Sequence, residues 1–156
     1  MSMSEAIAAI AAPGSPFEVQ ERDVNGVTNR VFVNAPATLR DVFNNARTNE
    51  ATFLVYEDEE WSFADVMLEA DAVAYALVHT FGIKKGDRVG IAMRNLPEWI
   101  ISFAAILSIG AVSVSLNAWW TDDELAFAID DSQLSVLICD AERMNRAAEH
   151  LSLIHI

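Results

Sequence analysis

An uninterrupted run without a charged side chain, residues 99–120, stands in a chain whose formal net charge is −13. A membrane-spanning helix needs about 20 consecutive apolar residues, so the length of the run permits one. Gly110 divides it. The residues before Gly110 are apolar on nearly every face of a helix, whereas Val112, Val114 and Leu116 alternate with serines at the period of a strand. The run therefore predicts a buried helix, a turn and a strand, and no transmembrane segment.

Strands and helices alternate regularly from residue 88 onward. The predicted strands are 88–93, 112–116 and 135–139, and the predicted helices are 97–109, 121–131 and 141–150. Asn95 and Pro97 predict the start of the first helix, and Thr121 with Glu124 has the spacing of a capping box. Such an alternation predicts an α/β fold with parallel βαβ units and right-handed crossovers.

The N-terminal residues predict a different organisation. Three prolines and two glycines occur in residues 13–37 and predict an extended arm around one short strand at residues 28–33. The residues before them predict a short helix or a loose arm. The sequence TFLVYEDEEWSF then predicts a hairpin-like pair of short strands. Ser62 and Asp65 are spaced as in a capping box, which predicts a helix at residues 63–80.

Composition narrows the classes of function. The chain has 23 acidic and 10 basic residues, so a nucleic-acid partner is not expected, because phosphate binding relies on clustered Lys and Arg. Its single cysteine, Cys139, has no internal disulfide partner, which is typical of a reducing cytosol. The N-terminus lacks the basic segment of a signal peptide. The three histidines lack metal-ligand spacing, so neither a metal site nor a catalytic residue is predicted.

Ligands of an open parallel sheet bind at the carboxyl ends of its strands. The loops that this rule selects are 93–95, 117–120 and 140–143. Arg94 and Arg143 are candidates for ligand contact, although a surface ion pair is the commoner role of an arginine. Trp119 and Trp120 are candidates for stacking on a ligand, although packing against a neighbouring segment is the commoner role. These alternatives remain open from the residues alone.

The motifs GDRV, RNLPEW, IGAV and LNAWWT occur in this order, and together they resemble the N-terminal region of AMP-forming acyl-CoA synthetases of the adenylate-forming superfamily. The resemblance extends from about residue 13 to about residue 143. It implies an N-terminal α/β portion of an adenylate-forming enzyme, preceded by an extended arm and short strands. The implied organisation is an arm at 1–37, a partial AMP-binding domain at 38–150, and at 151–156 an atypical tail that is interpreted as a truncation artefact.

Enzymes of this family activate a carboxylic acid with Mg-ATP to an acyl-adenylate and then transfer the acyl group to coenzyme A. The resemblance implies ATP, Mg²⁺ and coenzyme A as ligands of a full-length cytoplasmic enzyme whose acid is a fatty acid. The phosphate loop ending in Pro-Lys-Gly does not occur in residues 1–156. We therefore expect a catalytically incomplete fragment that binds none of these ligands tightly.

The resemblance also implies a site for coenzyme A. Asn117, Ala118 and Trp119 correspond to the loop beside the adenosine end of coenzyme A, and Arg143 is expected to meet its phosphates. Two other functions remain open: a stand-alone, non-catalytic α/β module that binds a nucleotide or a protein, and a membrane-associated protein that uses residues 99–120.

Overall fold

The computed structural model describes residues 1–148. Residues 1–38 form one compact unit and the residues from Leu39 onward form another. The first unit contains helix α1 (Met3–Ile10) and strands β1 (Val19–Val24) and β2 (Val27–Phe32). The elements of the second unit are α2 (Leu39–Asn44), β3 (Thr52–Tyr56), β4 (Glu59–Ser62), α3 (Phe63–His79), β5 (Arg88–Ala92), α4 (Pro97–Ser108), β6 (Val112–Ser115), α5 (Asp122–Ser132), β7 (Val136–Cys139) and α6 (Ala141–Ala147).

The first unit contains an antiparallel hairpin where the sequence predicted an arm with one strand. β1 pairs with β2, and Val24 opposes Val27 across a two-residue turn. Asn25 and Gly26 fill the turn with φ of 54° and 83°, the positive values that a tight hairpin turn of this type requires. The strand predicted at residues 28–33 is present as β2, whereas its partner β1 was not predicted, although Asn-Gly is a signal for a hairpin.

The elements that follow α2 in the second unit are those that the sequence predicted. β3 and β4 form the predicted antiparallel hairpin. Helix α3 begins at Phe63 with a complete capping box: the Asp65 amide donates to Ser62 Oγ at 3.0 Å, and the Ser62 amide donates to Asp65 Oδ2 at 2.9 Å. The predicted helix at residues 63–80 is confirmed.

A three-stranded parallel sheet forms the centre of the second unit, with strand order β6-β5-β7. This arrangement confirms the predicted α/β fold. Alternate residues of β5 and its C-terminal extension face opposite sides. Ile91 and Met93 lie in a core with Leu77 of α3 and Ile106 of α4, whereas Ala92 lies in a core with residues of α5 and α6. The middle strand is therefore covered on both faces, as parallel strands require.

Close packing around β5 depends on the absence of a side chain at Gly90. A Cβ atom there would lie 2.5 Å from Leu134 Cδ1 and 2.8 Å from Leu137 Cδ1, and both leucines are buried. We expect Gly90→Ala to lower the free energy of unfolding by about 1–3 kcal/mol through overpacking, measured by urea denaturation. The loss should be smaller in a Leu134→Ala background, where the nearest methyl group is absent. An unchanged urea midpoint in the single variant would contradict this packing.

The uncharged run forms the predicted helix, turn and strand. α4 contains 12 residues, Gly110 turns the chain with φ of 75°, and β6 follows. The predicted role of Asn95 at the helix start is wrong, because Leu96 is the N-cap and makes no side-chain cap bond, while Pro97 occupies the first helical position. Within residues 1–148, no helix has both the length and the apolar character that crossing a bilayer demands.

The C-terminal predictions are tested only in part. The helix predicted at residues 141–150 is present as α6, Ala141–Ala147. Residues 149–156, including the tail predicted to be a truncation artefact, lie outside the described part of the chain. The division into an arm at 1–37 and a partial domain at 38–150 stays a prediction.

Candidate functional site

Three loops meet where β5, β6 and β7 end. Because the strands are parallel and adjacent, their carboxyl ends lie at one edge of the sheet. The loops are the three that the sequence selected, and hydrogen bonds connect them directly. The Arg94 amide after β5 donates to Asp140 Oδ2 after β7 at 3.0 Å, and the Arg143 guanidinium of α6 reaches the Ala118 carbonyl after β6.

The loop after β6 is shaped by the side chain of Asn117. Its Oδ1 accepts a hydrogen bond from the Trp119 amide at 3.0 Å, and its carbonyl accepts one from the Trp120 amide at 3.2 Å. Asparagine favours turns through this bond to the backbone two residues ahead. The turn leaves Trp119 69% exposed, whereas Trp120 is half-buried against the core beside α5. Trp120 therefore packs against a neighbouring segment, the commoner role of a tryptophan, whereas Trp119 lies outside the core.

Trp119 carries the guanidinium of Arg94 on its ring. The Cζ atom of Arg94 lies 4.0 Å from the ring centroid, a cation–π contact. Arg94 is exposed, and in residues 1–148 it forms no ion pair with a carboxylate. The expectation of a surface ion pair at Arg94 is therefore wrong. We call the stacked side chains of Trp119 and Arg94 the platform.

Arg143 is buried, contrary to the expectation that it forms a surface ion pair. Its side chain is 2% exposed, and its Nε and Nη2 atoms donate to the Ala118 carbonyl at 2.9 and 2.7 Å. Its Nη1 atom donates to both carboxylate oxygens of Asp140, at 3.1 and 3.3 Å, and to Glu142 at 2.9 Å. All three guanidinium nitrogens thus bond within the chain. The geometry gives Arg143 the role of holding the loop that carries Trp119.

Asp140 joins the three loops, a role that the sequence analysis did not assign. One oxygen accepts from the Arg143 amide at 3.0 Å and caps α6, and the other accepts from the Arg94 amide. Burial opposes the charged carboxylate, but the bonds from the amides of Arg143 and Arg94 and from the guanidinium outweigh it and hold the pKa of Asp140 below its usual range. An aspartate directly before a predicted helix is a signal for an N-cap, and could have identified this residue.

A second arginine of α6 holds the same loop. Arg146 Nη1 donates to the Trp120 carbonyl at 3.0 Å, and Arg146 Nη2 pairs with Glu142 at 2.6 Å. Arg143 and Arg146 are three residues apart and so lie on one face of the helix. Two carbonyls of the loop, those of Ala118 and Trp120, are thus fixed to α6, while the Trp119 side chain between them remains exposed.

The lowered pKa of Asp140 predicts a dependence of stability on pH. Its folded-state pKa lies below the unfolded value of about 3.9, so the unfolded chain takes up the proton first as the pH falls. The contribution of the Asp140 network is therefore complete above about pH 5 and is lost as the pH falls through the folded pKa. We expect the acid slope of the free energy of unfolding, measured by urea denaturation, to become shallower in Asp140→Asn. A slope equal to that of the wild type would contradict this assignment.

A separate concave region lies beside the β3–β4 hairpin. It has a volume of about 430 Å³, and its lining includes Trp61, Pro97 and Ile138.

Among residues 1–148, no group of three His, Cys, Asp or Glu side chains is arranged to hold a metal ion, so none of them is assigned to Mg²⁺. Burial, and secondarily the charge of Asp140, raises the pKa of the Cys139 thiol, which favours its neutral form.

Comparison with known proteins identifies the family. The family model described as AMP-binding enzyme matches residues 42–155. The chain belongs to this family. The resemblance to AMP-forming acyl-CoA synthetases is therefore confirmed, and with it the α/β architecture of the N-terminal domains of adenylate-forming enzymes.

Individual relatives agree with this assignment. The chain is 31% identical over 103 residues to a long-chain-fatty-acid–CoA ligase of Bacillus subtilis, a match that covers 65% of this chain and 18% of the relative. It is 33% identical over 98 residues to a crotonobetaine/carnitine–CoA ligase of Salmonella heidelberg, covering 60% of this chain and 19% of the relative. The chain thus spans less than a fifth of the length of either curated relative.

A solved structure shares the fold. The O-succinylbenzoate coenzyme A synthetase of Bacillus subtilis in complex with AMP aligns with a TM-score of 0.65 and 26% sequence identity. The alignment covers 74% of this chain and 30% of that chain. The names of these relatives state different acids, so membership of the family leaves the acid open.

Proposed function

We propose that the chain is the part of an AMP-forming acid–CoA ligase that holds the nucleotide end of coenzyme A. The observation that carries this proposal is the platform at the carboxyl ends of the parallel strands: an exposed indole with a guanidinium on its ring. Adenine stacks on aromatic rings, and phosphates pair with arginine. The nucleotide end of coenzyme A, an adenosine with phosphates at its 3′ and 5′ positions, offers both groups together.

Each residue of the proposed site has a separate role. Trp119 stacks on adenine, with Asn117 and Ala118 forming the turn that presents it. Arg94 contacts a phosphate, because its guanidinium is exposed and forms no ion pair in residues 1–148. Arg143 acts on the ligand through the Ala118 carbonyl. This replaces the direct phosphate contact that the sequence analysis expected of Arg143.

The reaction of the whole enzyme follows from the family. We infer that a carboxylic acid, a fatty acid by analogy with the Bacillus subtilis ligase, reacts with Mg-ATP to form acyl-AMP and pyrophosphate. The thiol of coenzyme A then displaces AMP and forms the thioester. The enzyme acts in the cytoplasm, and residues of this chain position coenzyme A for the second step. The groups that stabilise the first step belong to motifs that the sequence of this chain lacks.

Two measurements on the 156-residue protein test this proposal. Isothermal titration should detect saturable binding of adenosine 3′,5′-bisphosphate, and weaker binding of 5′-AMP, which lacks the 3′-phosphate. ATP–pyrophosphate exchange with a fatty acid should not exceed a control lacking the protein, because electrostatic stabilisation of the adenylation transition state requires groups outside this sequence. Exchange above the control would show that the chain is catalytically complete. The absence of bisphosphate binding would leave a stand-alone module for another partner as the better assignment.

A further inference from the structure

We propose that Asp140 is a positioning residue for both halves of the platform. One of its interactions fixes the loop that carries Arg94, and the other fixes the loop that carries Trp119. The inference rests on the proposed function only for the ligand, because the position of the platform is measurable without one. Asp140 itself is outside the platform.

The first route runs directly from Asp140 to Arg94. Asp140 Oδ2 accepts the backbone amide of Arg94 at 3.0 Å, although the two residues are 46 positions apart in sequence. This bond fixes the backbone of the loop after β5 at the residue whose side chain lies over Trp119. A carboxylate that accepts a backbone amide forms a charge-assisted bond, which is stronger than a bond between neutral groups.

The second route runs from Asp140 through Arg143 to the loop of Trp119. The carboxylate accepts Nη1 of Arg143, and Nε and Nη2 of the same guanidinium hold the Ala118 carbonyl. Ala118 directly precedes Trp119 in the chain. The planar guanidinium presents its donors in a fixed arrangement, so orienting it at Asp140 also orients the loop.

Burial makes this pair differ from an ordinary surface ion pair. The side chains of Arg143 and Asp140 are 2% and 16% exposed, whereas those of Arg47, in the turn after α2, and Asp71 of α3 are 36% and 49% exposed. Water competes weakly for the groups of the buried pair. A charge left without its partner there is strongly unfavourable, so the loops adopt the arrangement in which the pair is complete.

Asp140→Asn separates the positioning role from the capping of α6. Asparagine caps a helix as well as aspartate does, so the bond to the Arg143 amide is retained. The amide group cannot supply two oxygens, and the variant therefore loses the negative charge and one of the two accepting positions. Asp71→Asn is the matched control, since it makes the same chemical change in the exposed pair.

The first readout is the position of Arg94 over Trp119 in the free protein. In the wild type, the indole ring current should shift the δ-methylene protons of Arg94 upfield in the NMR spectrum, and Trp119→Phe, with its smaller ring current, should reduce that shift. In Asp140→Asn we expect the shift to fall by more than half, and in Asp71→Asn we expect no change. An unchanged shift in a folded Asp140→Asn protein overturns the proposal. If that variant does not fold, Arg143→Lys, which breaks the second route alone, should reduce the shift, and no reduction overturns the proposal.

The second readout is a double-mutant cycle on binding of adenosine 3′,5′-bisphosphate. Asp140→Asn should weaken binding about tenfold, because a disordered platform must be ordered by the ligand. In a Trp119→Ala background the same change should have a clearly smaller effect, since one of the two groups that Asp140 positions is absent and only Arg94 remains. Equal weakening in both backgrounds overturns the proposal. Failure of the wild type to bind the bisphosphate rejects the proposed function, and the ring-current measurement still decides the role of Asp140.

Discussion

Replacing Arg143 with alanine is expected to lower the free energy of unfolding by about 3–5 kcal/mol, the range for removing one partner of a buried ion pair. The variant leaves the Ala118 carbonyl without its two donors and the carboxylate of Asp140 without its cation. The side chain is 2% exposed, so water reaches these groups poorly in the native protein. Urea denaturation followed by circular dichroism measures the change.

The control for this prediction is Arg47→Ala, which removes an arginine from the exposed pair with Asp71. We expect it to cost no more than about 1 kcal/mol, because solvent screens surface ion pairs. Arg143→Met retains much of the side-chain volume and loses the charge, and should be destabilised nearly as much as Arg143→Ala. Equal stability of Arg143→Ala and Arg47→Ala would show that the buried guanidinium does not hold the loop.

Replacing Trp119 with alanine is expected to abolish most of the nucleotide binding and to leave the fold intact. Stacking of a base on an aromatic side chain contributes about 1–3 kcal/mol, so the dissociation constant of adenosine 3′,5′-bisphosphate should rise by about one to two orders of magnitude. The Trp119 side chain is 69% exposed and outside the buried core clusters, so the urea midpoint should change little. Isothermal titration measures the affinity.

Phe127 provides a matched control for this second prediction. It is an aromatic residue of α5 that is 70% exposed, close to the exposure of Trp119, and it is outside the platform. Phe127→Ala should leave the affinity within about twofold of the wild type, since less than about half a kcal/mol separates the two proteins. If both variants bind equally well, the exposed indole has no role in recognition.

The fold was predictable because its signals are local. The alternation of Val112 and Val114 with serines predicted strand β6, and Gly110 predicted the turn that separates this strand from helix α4. The capping-box sequences at Ser62 and Thr121 predicted where helices α3 and α5 begin. In the first unit, Asn25 and Gly26 make a hairpin turn that was not predicted, although its sequence signal is also local.

The sequence predicted the location of the site, but several of its contacts were not predictable from the sequence. The rule for parallel sheets selected all three loops from the order of strands and helices. It did not reveal that Arg143 is buried, since arginine is mostly exposed in proteins and its burial here depends on the Ala118 carbonyl, 25 residues away. The bond from Arg94 to Asp140 spans 46 residues and involves a backbone amide, which leaves no signature in the side chains.

The most direct test of the central claim is an NMR titration of the isotope-labelled protein with adenosine 3′,5′-bisphosphate. The claim is that the loops after the three parallel strands hold the nucleotide end of coenzyme A. It predicts that the largest shift changes occur at the Trp119 indole, the Arg94 side chain and the backbone amides of residues 117–119. Shift changes confined to the concave region beside Trp61 and Pro97, or no saturable changes, would contradict it.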